Sequence, residues 1–489
     1  MNENNDKVVS AIKWSTITEI VAKLVTPISN MILARLLTPE AFGIVATATM
    51  VFSFADMLSD SGFQKYLVQH EFKDENELAK STTVAFWTNL FISIVLWLFI
   101  TIFSEQISAM VGNPGLGIVI IISCLSLPLT SFSSIHMALY RRKFDYKTLF
   151  LVRLVSVIIP IFITVPLAFI TRSFWALIIG TLCGNIVNTV LLTVRSSWKP
   201  VLYFKFDILK EMISFSIWSL FEAISIWLTN YIGVFIVGAI LSPYYVGLYK
   251  TAMNTVNQIM NLVTAATTTV LFSALSRTQN NQVAFEKTFF SFQRNVSLLI
   301  LPMGVGVFCF RDFVTSILLG NQWAEAAGFI GLWSVVNSIK IILSNFCSEA
   351  YRAVGKPRVS LFVQISQLIF LIPAIVYGAS KNFETLYFMR CTVSLELILI
   401  NLIIVRTSLK ISSIKMIKNI LPEIIASAVM GILAYCLSCM SDSFVLNITF
   451  IILCVIIYFG VILVIPQSRR DTLQMFKKIF LRGIKNEIQ

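Results

Sequence analysis

Four stretches of otherwise apolar sequence carry polar side chains three or four residues apart. On a helix this spacing aligns them on one face. The faces are Glu19, Lys23, Thr26 and Asn30; Thr49, Ser53, Asp56 and Asp60; Glu222, Ser225 and Thr229; and Lys250, Asn254, Asn257, Gln258 and Asn261. Such faces are too polar for lipid contact, so each must meet another helix or water. Hydrogen bonding between helices is one interpretation, but four similar faces favour a shared hydrated cavity.

Single charged residues interrupt the apolar sequence at five further places, where a functional role is the default interpretation. They are Arg153, Lys340, Glu349, Arg390 and Glu396. Lys340 shares a short polar face with Asn337 and Ser344. Arg390 and Glu396 are too far apart along one helix to pair directly.

No catalytic motif accompanies these residues. The sequence contains no phosphate-binding loop, no dinucleotide-binding glycine motif, no zinc-protease motif and no nucleophile elbow. All eight cysteines lie in apolar segments and the only histidines are His70 and His136, which argues against a disulfide framework and a metal centre. We therefore predict a protein that is not an enzyme and has no cofactor or metal.

The composition indicates whether water or lipid surrounds the segments that carry these residues. Of the 489 residues, 57% are hydrophobic and only 13% are charged, against about 25% charged residues in an ordinary soluble domain. A soluble protein this apolar could not cover its surface with polar groups. The net charge of +13 is better explained by membrane orientation than by binding to nucleic acid.

A membrane-spanning helix needs about twenty mostly apolar residues. By this criterion the sequence predicts an all-α polytopic membrane protein with about 14 transmembrane helices. The span over 246–274 is the most polar of them. The predicted spans are 14–36, 42–63, 82–103, 116–139, 149–171, 174–194, 212–240, 246–274, 289–310, 326–347, 359–379, 385–405, 419–439 and 445–465.

The basic residues in the loops and near the ends of these spans predict the orientation of the chain. With a cytoplasmic N-terminus, 29 Lys and Arg residues fall on the cytoplasmic side and 4 fall on the other side. Basic residues collect in the cytoplasmic loops of membrane proteins. We therefore expect an even number of spans, both termini in the cytoplasm and only short loops outside.

An internal repeat predicts the domain organisation. When residues 14–48 are aligned with residues 218–252, eleven of 35 positions are identical, including the run L-T/S-P-x-x-x-G-x-x-x-T-A. Six spans separate the copies, so the repeats are parallel. We predict an N-terminal six-helix lobe over 1–200, a C-terminal six-helix lobe over 201–410, and two further helices with a basic tail over 411–489.

Three short motifs resemble those of Wzx-type polysaccharide flippases. They are L-T-P-E-A-F-G over 37–43, Y-R-R-K-F from Tyr140, and W-K-P from Trp198, which an amphipathic stretch follows. These flippases belong to the multidrug/oligosaccharidyl-lipid/polysaccharide exporter superfamily. The resemblance covers essentially the whole chain. It implies a V-shaped pair of six-helix bundles in the bacterial cytoplasmic membrane that works by alternating access.

The resemblance also implies the cargo, an undecaprenyl-pyrophosphate-linked oligosaccharide used for O-antigen, capsule or exopolysaccharide. Polymerase and chain-length proteins of that pathway are candidate partners. The pyrophosphate needs cations, and the sugar needs amide and hydroxyl groups. The implied cavity residues are Lys23, Asn30, Lys250, Asn254, Asn257, Asn261 and Lys340, with Arg35 and Arg311 near the outer mouth. Glu19, Asp56, Asp60 and Glu222 are candidate gates, ion-coupling sites or structural partners.

Three other functions compete with this interpretation. A drug/cation antiporter of the same superfamily would favour acidic and aromatic residues in the cavity and fewer cations. A lipid II flippase would place similar demands on the cavity. A membrane glycosyltransferase or polymerase would need a sizeable external loop with convergent arginine or acidic residues, and the longest predicted external loop has only about a dozen residues.

Overall fold

The computed structural model describes Trp14, residues 25–60, 62–440 and 443–465, and Arg469; within its helices the side chains at 215–219, 222, 265, 266, 269 and 357 are not described. Every regular element in these residues is a helix. Twelve helices in this part of the chain are long and apolar enough to cross a membrane. The predicted all-α polytopic fold class is therefore confirmed.

Contacts divide the chain into two compact units. The first unit comprises Met1–Thr251 and Ile375–Phe383. It contains the first residues of α11 (Pro243–Thr278), which continues into the second unit. The other main helices of the first unit are α1 (25–36), α2 (Pro39–Asp60), α3 (Phe63–Gln69), α4 (Glu75–Ile102), α5 (Ser104–Met110), α6 (Gly117–Cys124), α7 (Ser126–Arg142), α8 (Tyr146–Thr171), α9 (Trp175–Arg195) and α10 (Phe206–Ile240).

The second unit comprises Ala252–Ala374 and Glu384–Gln489. A 3-10 helix over Asn321–Ala326 and a π-helix over Ile341–Asn345 flank α14. The helices of this unit after α11 are α12 (Gln282–Cys309), α13 (Arg311–Leu318), α14 (Ala327–Lys340), α15 (Phe346–Ala353), most of α16 (Pro357–Lys381), α17 (Phe383–Ser408), α18 (Ser413–Ser438) and α19 (Phe444–Val464).

Each of the twelve spans overlaps one of the predicted spans. The other two predicted spans are the first and the eighth. The first, 14–36, lies partly outside the described residues. The eighth, 246–274, falls within the 36-residue helix α11, whose polar face lowers its hydropathy. The total of about 14 spans therefore stays a prediction.

Helix ends depart from the predicted bounds where local hydrogen bonds extend a helix beyond its apolar core. α4 begins seven residues before the predicted span because the Asp74 carboxylate accepts a hydrogen bond from the backbone N–H of Glu77 at 2.6 Å. This interaction is an N-cap, which satisfies one of the free donors at a helix start. The predicted span over 116–139 is divided at Leu125 into α6 and α7.

Large apolar side chains cover much of the outer surface. On α8 the side chains of Phe162 and Ile170 are 75% and 78% exposed. On α19 Val464 is 80% exposed. Water would penalise so much exposed apolar surface, whereas the hydrocarbon of a bilayer solvates it. The surface therefore fits a lipid environment.

The basic Y-R-R-K-F motif helps to hold the first unit together. Arg142 donates hydrogen bonds to the backbone carbonyls of Leu67 at 2.9 Å and His70 at 2.7 Å. Its guanidinium also lies 4.7 Å from the ring centre of Phe72. Carbonyls at a helix C-terminus lack partners within the helix, so Arg142 stabilises the end of α3.

The last two helices pack on α12 in the second unit. The Tyr458 hydroxyl on α19 donates a hydrogen bond to the Leu298 carbonyl at 2.8 Å. On α18, Asn419 donates to the carbonyl of Phe290 at 2.9 Å. Buried Met430 and Tyr458 belong to the apolar cluster that joins these helices. The two C-terminal helices are therefore part of the core of the second unit.

Candidate translocation site

The two copies of the repeated turn meet inside the first unit. A Cβ atom at Gly43 would overlap the carbonyl oxygen of Pro243, and a Cβ atom at Gly247 would overlap the carbonyl oxygen of Pro39. α2 and α11 begin at these two prolines. The first turns of the two helices therefore touch backbone to backbone, which requires a residue without a side chain at both positions.

A buried hydrogen bond lies beside this contact. The Asn113 side chain donates to the Thr47 hydroxyl, and the Thr47 side chain is fully buried. On α10, a Cβ atom at Gly238 would clash with the carbonyl oxygen of Val111. α10 therefore approaches the segment after α5 as closely as α2 approaches α11, and the repeated turns belong to a tightly packed region.

Lys250 lies on an aromatic surface that also reaches the polar face of α2. Its ammonium group is 4.7 Å from the ring centre of Tyr231. Tyr231 stacks on Trp227, with ring centres 5.6 Å apart. The indole N–H of Trp227 donates a hydrogen bond to the Ser53 hydroxyl at 3.0 Å. We call Ser53, Trp227, Tyr231 and Lys250 the Lys250 surface.

Each residue of the Lys250 surface is only partly buried. Within the described residues, Lys250 makes no ion pair at 4.0 Å or less. An aromatic ring attracts a cation through its negative face, an interaction worth about 0.5–2 kcal/mol. Because that attraction leaves the ammonium donors free, the surface can bind an anion through Lys250 and a flat apolar face of a sugar through its rings.

The two predicted carboxylates of α2 have partners on neighbouring elements. The Asp56 carboxylate accepts a hydrogen bond from the Thr130 hydroxyl of α7 at 2.6 Å. The Asp60 carboxylate accepts one from the Gln64 amide at 3.2 Å. Gln64 in turn accepts from Arg141 at 3.4 Å. These contacts give both carboxylates a structural role in connecting α2 to α7, and gating or ion coupling stays a prediction.

The polar face of α11 continues into the second unit. Asn254 and Asn261 are exposed there, and the Asn257 carbonyl accepts a hydrogen bond from the Asn337 amide of α14 at 3.1 Å. The Asn261 carbonyl accepts from Thr264 at 3.2 Å. Asn254 is therefore open to a ligand, while the amide donors of Asn257 and Asn261 make no hydrogen bond to the other described residues.

Lys340 and Arg390 share one tryptophan ring in the second unit. The Lys340 ammonium is 5.0 Å, and the Arg390 guanidinium 4.7 Å, from the ring centre of Trp333. Moving one charge out of water costs several kcal/mol. A cation–π contact offsets only about 2 kcal/mol of that cost, so this pair of cations is an unusual feature of the second unit.

Arg311 lines a separate cavity of about 420 Å³ in the second unit, together with Glu384 and Tyr387. It forms an ion pair with Asp312 at 3.7 Å. A Cβ atom at Gly331 would contact the Arg311 side chain, so α14 leaves room for this arginine. The cavity places Arg311 near an acidic and an aromatic side chain as well as its ion-pair partner.

Several predicted residues fall at the edge of the description. Glu19 and Lys23 lie outside the described residues, as does the side chain of Glu222. On α1, Asn30 is half-buried and Arg35 is exposed. Their membership of the site stays a prediction.

The site residues predicted from the sequence do not include the aromatic members of these clusters. Trp227 and Tyr231 are four residues apart, and Trp333 precedes Lys340 by two helical turns. The first spacing places two rings on one helix face, and the second places a ring on the same face as a lysine. Aromatic residues are so common in this chain that such a spacing alone does not identify a binding site.

Residues 32–328 match the protein family described as "Polysaccharide biosynthesis protein", which covers more than half of the chain. The chain belongs to this family. As a member of it, and with twelve apolar helices long enough to cross a membrane in the described part of the chain, the chain is a multi-pass bacterial membrane protein. The resemblance to Wzx-type flippases is thereby supported at the level of the family.

Three relatives of the chain are bacterial proteins. The chain is 24% identical to a Klebsiella pneumoniae protein named "Uncharacterized membrane protein in cps region", over 77% of each chain. It is 22% identical to the Escherichia coli "Lipopolysaccharide biosynthesis protein WzxC", over 76% of this chain and 75% of the other. It is 24% identical to the Rhizobium meliloti "Succinoglycan biosynthesis transport protein ExoT", over 77% and 75%. These matches confirm the resemblance stated from the sequence motifs.

Two solved structures share the fold of the chain. The lipid II flippase MurJ in an inward closed conformation matches with a TM-score of 0.75 and 13% identity, covering 93% of this chain and 98% of that one. An inward-facing multidrug transporter of the MATE family matches with a TM-score of 0.61 and 12% identity, covering 81% and 98%. At such low identity these matches show the fold alone.

Proposed function

We propose that this chain moves an undecaprenyl-pyrophosphate-linked oligosaccharide repeat unit from the cytoplasmic to the outer leaflet of the membrane by alternating access. The transported unit would supply the synthesis of O-antigen, capsule or exopolysaccharide. The observation that carries the proposal is the Lys250 surface, where a cation without an acidic partner among the described residues lies on the aromatic rings of α10 beside the polar face of α2. Membership of a polysaccharide biosynthesis family supports the nature of the cargo.

The pyrophosphate and the sugar of the cargo need two different kinds of binding group. The pyrophosphate is bound by cations, for which we propose Lys23, Lys250 and Lys340 inside the cavity and Arg35 and Arg311 near its outer mouth. The sugar is bound by the amides of Asn30, Asn254, Asn257 and Asn261. Trp227 and Tyr231 add flat apolar faces on which a sugar ring can pack.

In this proposal the contact between the repeated turns is a gate. Lobes 1–200 and 201–410 would approach and separate at Gly43 and Gly247, and residues 411–489 would move with the second lobe. The turns lie after the first and seventh predicted spans, which places the gate at the outer end if both termini are cytoplasmic. Glu19, Asp56, Asp60 and Glu222 remain candidates for coupling such movement to an ion or for stabilising one state.

Trp227 tests whether the aromatic part of the Lys250 surface binds sugar. We expect Trp227→Ala to reduce surface polysaccharide strongly, because both the ring and its hydrogen bond to Ser53 are lost. Trp227→Phe keeps a ring and should lower surface polysaccharide only about two- to tenfold, because one hydrogen bond contributes about 0.5–1.5 kcal/mol.

The matched control is Trp97→Phe, which removes an indole hydrogen bond of 3.2 Å to the Ile121 carbonyl within α4 and α6. Surface polysaccharide, measured per amount of protein in the membrane, should be unchanged by this control. Equal losses in Trp97→Phe and Trp227→Phe would mean that Trp227 acts through stability alone.

Depletion of the protein in its own bacterium tests the proposed function. Lipid-linked repeat units should accumulate in the membrane while surface polysaccharide falls, because synthesis continues and transfer stops. Both quantities can be measured by extracting lipids and staining the cell surface from the same culture. Surface polysaccharide that persists without the protein, or a loss without accumulation of the lipid-linked unit, would reject the flippase function.

A further inference from the structure

Two buried residues of the second unit have hydrogen-bond donors that no described atom accepts. Arg390 is 4% exposed and Trp333 is 1% exposed. The Nε atom of Arg390 and the Nε1 atom of Trp333 are buried without a hydrogen-bond partner among the described residues. Buried polar groups are almost always hydrogen-bonded, so these two donors point to a group that the described residues do not supply.

The charge around these donors is one-sided. The ammonium of Lys340 and the guanidinium of Arg390 lie against the same Trp333 ring and are close enough to repel each other. In the described part of the chain no carboxylate lies within 4.0 Å of either cation. Arg390 does donate a hydrogen bond, to the Ser394 hydroxyl at 3.1 Å, but that contact supplies no negative charge.

Glu396 does not neutralise the pair. It lies six residues beyond Arg390 on α17, and both of its carboxylate oxygens are buried without a hydrogen-bond partner among the described residues. It therefore accepts nothing from Arg390. Buried cations are stable only when paired, so the described residues leave this cluster without the anion that it needs.

We propose that Lys340, Arg390 and Trp333 form a binding site for a phosphate-type oxyanion inside the second unit. Several oxygen atoms on one anion can accept from a guanidinium, an ammonium and an indole N–H together, and two positive charges match its negative charge. α14 ends at Lys340, and a π-helix follows at once, a distortion that often marks functional sites. The source of the anion is either the pyrophosphate of the carrier lipid or free inorganic phosphate.

Thermal unfolding of the purified full-length protein in detergent tests this site without measuring transport. Inorganic pyrophosphate, added at constant ionic strength, should raise the Tm of the wild-type protein in a saturable way, because a ligand of the folded state stabilises it. Arg390→Gln and Lys340→Gln should each weaken the apparent affinity at least about tenfold. Arg390→Lys keeps the charge but loses the guanidinium, so its affinity should lie between those of the wild type and Arg390→Gln.

Arg153→Gln is the matched control, because Arg153 is an exposed arginine of α8 in the first unit. The affinity of this variant for pyrophosphate should equal that of the wild type. A parallel titration with undecaprenyl pyrophosphate in mixed micelles distinguishes the sources. Tighter binding of the lipid identifies a substrate subsite, and equal binding identifies a site for free phosphate.

A wild-type Tm that does not respond to pyrophosphate, or an equal response in Arg390→Gln, would overturn the site. The inference rests on the proposed function only for the lipid as the source of the anion. Loss of anion binding therefore leaves the depletion experiment standing, and failure of that experiment leaves the anion site standing.

Discussion

Lys250→Ala is expected to lower surface polysaccharide at least about tenfold while the amount of protein in the membrane stays unchanged. A hydrogen bond from an ionised donor contributes about 1.5–3 kcal/mol, which corresponds to about tenfold or more in affinity. Lys250 contacts the ring of Tyr231 at 4.7 Å and has no acidic partner among the described residues, so its removal should leave no buried charge unpaired.

Two further variants decide between binding and folding. Lys250→Arg keeps a cation on the same ring and should retain more polysaccharide than Lys250→Ala. Lys381→Ala removes an exposed lysine at the end of α16 and should have no effect. Unchanged polysaccharide in Lys250→Ala, with normal levels of lipid-linked precursor, would exclude Lys250 from the translocation site.

Gly247→Val is expected to reduce surface polysaccharide to the level of cells that lack the protein. A valine side chain would overlap the carbonyl oxygen of Pro39, so the first turns of α2 and α11 could no longer touch. In the proposed cycle this variant cannot close its gate. Gly43→Val should have the same effect, because it meets the carbonyl of Pro243 in the equivalent way.

The open gate can be detected directly by thiol labelling. In a background without the eight native cysteines, Thr47→Cys should be unreactive, since Thr47 is fully buried beside the contact. Adding Gly247→Val should make this cysteine react with a membrane-impermeant reagent from outside the cell. Gly460→Val on α19 is the control, because a side chain there meets open space. Normal polysaccharide and an unreactive cysteine in Gly247→Val would show that the contact is not a gate.

Hydropathy predicted the spanning helices well because each is a long apolar run that must satisfy its own backbone hydrogen bonds in lipid. The position of each span followed from this requirement alone. The helix ends did not, because caps such as Asp74 lie in polar sequence outside the apolar core. The polar helix α11 shows the limit of the criterion, since its polar face lowers the hydropathy of the predicted span over 246–274.

The repeat predicted two equivalent turns but not that they touch. Gly43 is identical to Gly247 and Pro39 to Pro243, which makes the two turns equivalent in sequence. The contact depends on how distant helices are arranged, which one sequence does not contain. Similarly, Lys340 stood out as a charge in an apolar segment, but its proximity to Arg390 depends on packing between α14 and α17.

Transfer of the lipid-linked sugar across a defined bilayer measures the central proposal most directly. Proteoliposomes containing the purified protein would receive undecaprenyl-pyrophosphate-linked oligosaccharide in both leaflets. A glycosidase that cannot cross the membrane would then digest the oligosaccharide in the outer leaflet. We predict that wild-type protein transfers the oligosaccharide lipid of the inner leaflet to the outer leaflet, where the enzyme digests it. In vesicles with Lys250→Ala protein and in protein-free vesicles, the inner-leaflet lipid should stay protected. Inner-leaflet lipid that stays equally resistant with wild-type protein would contradict the account.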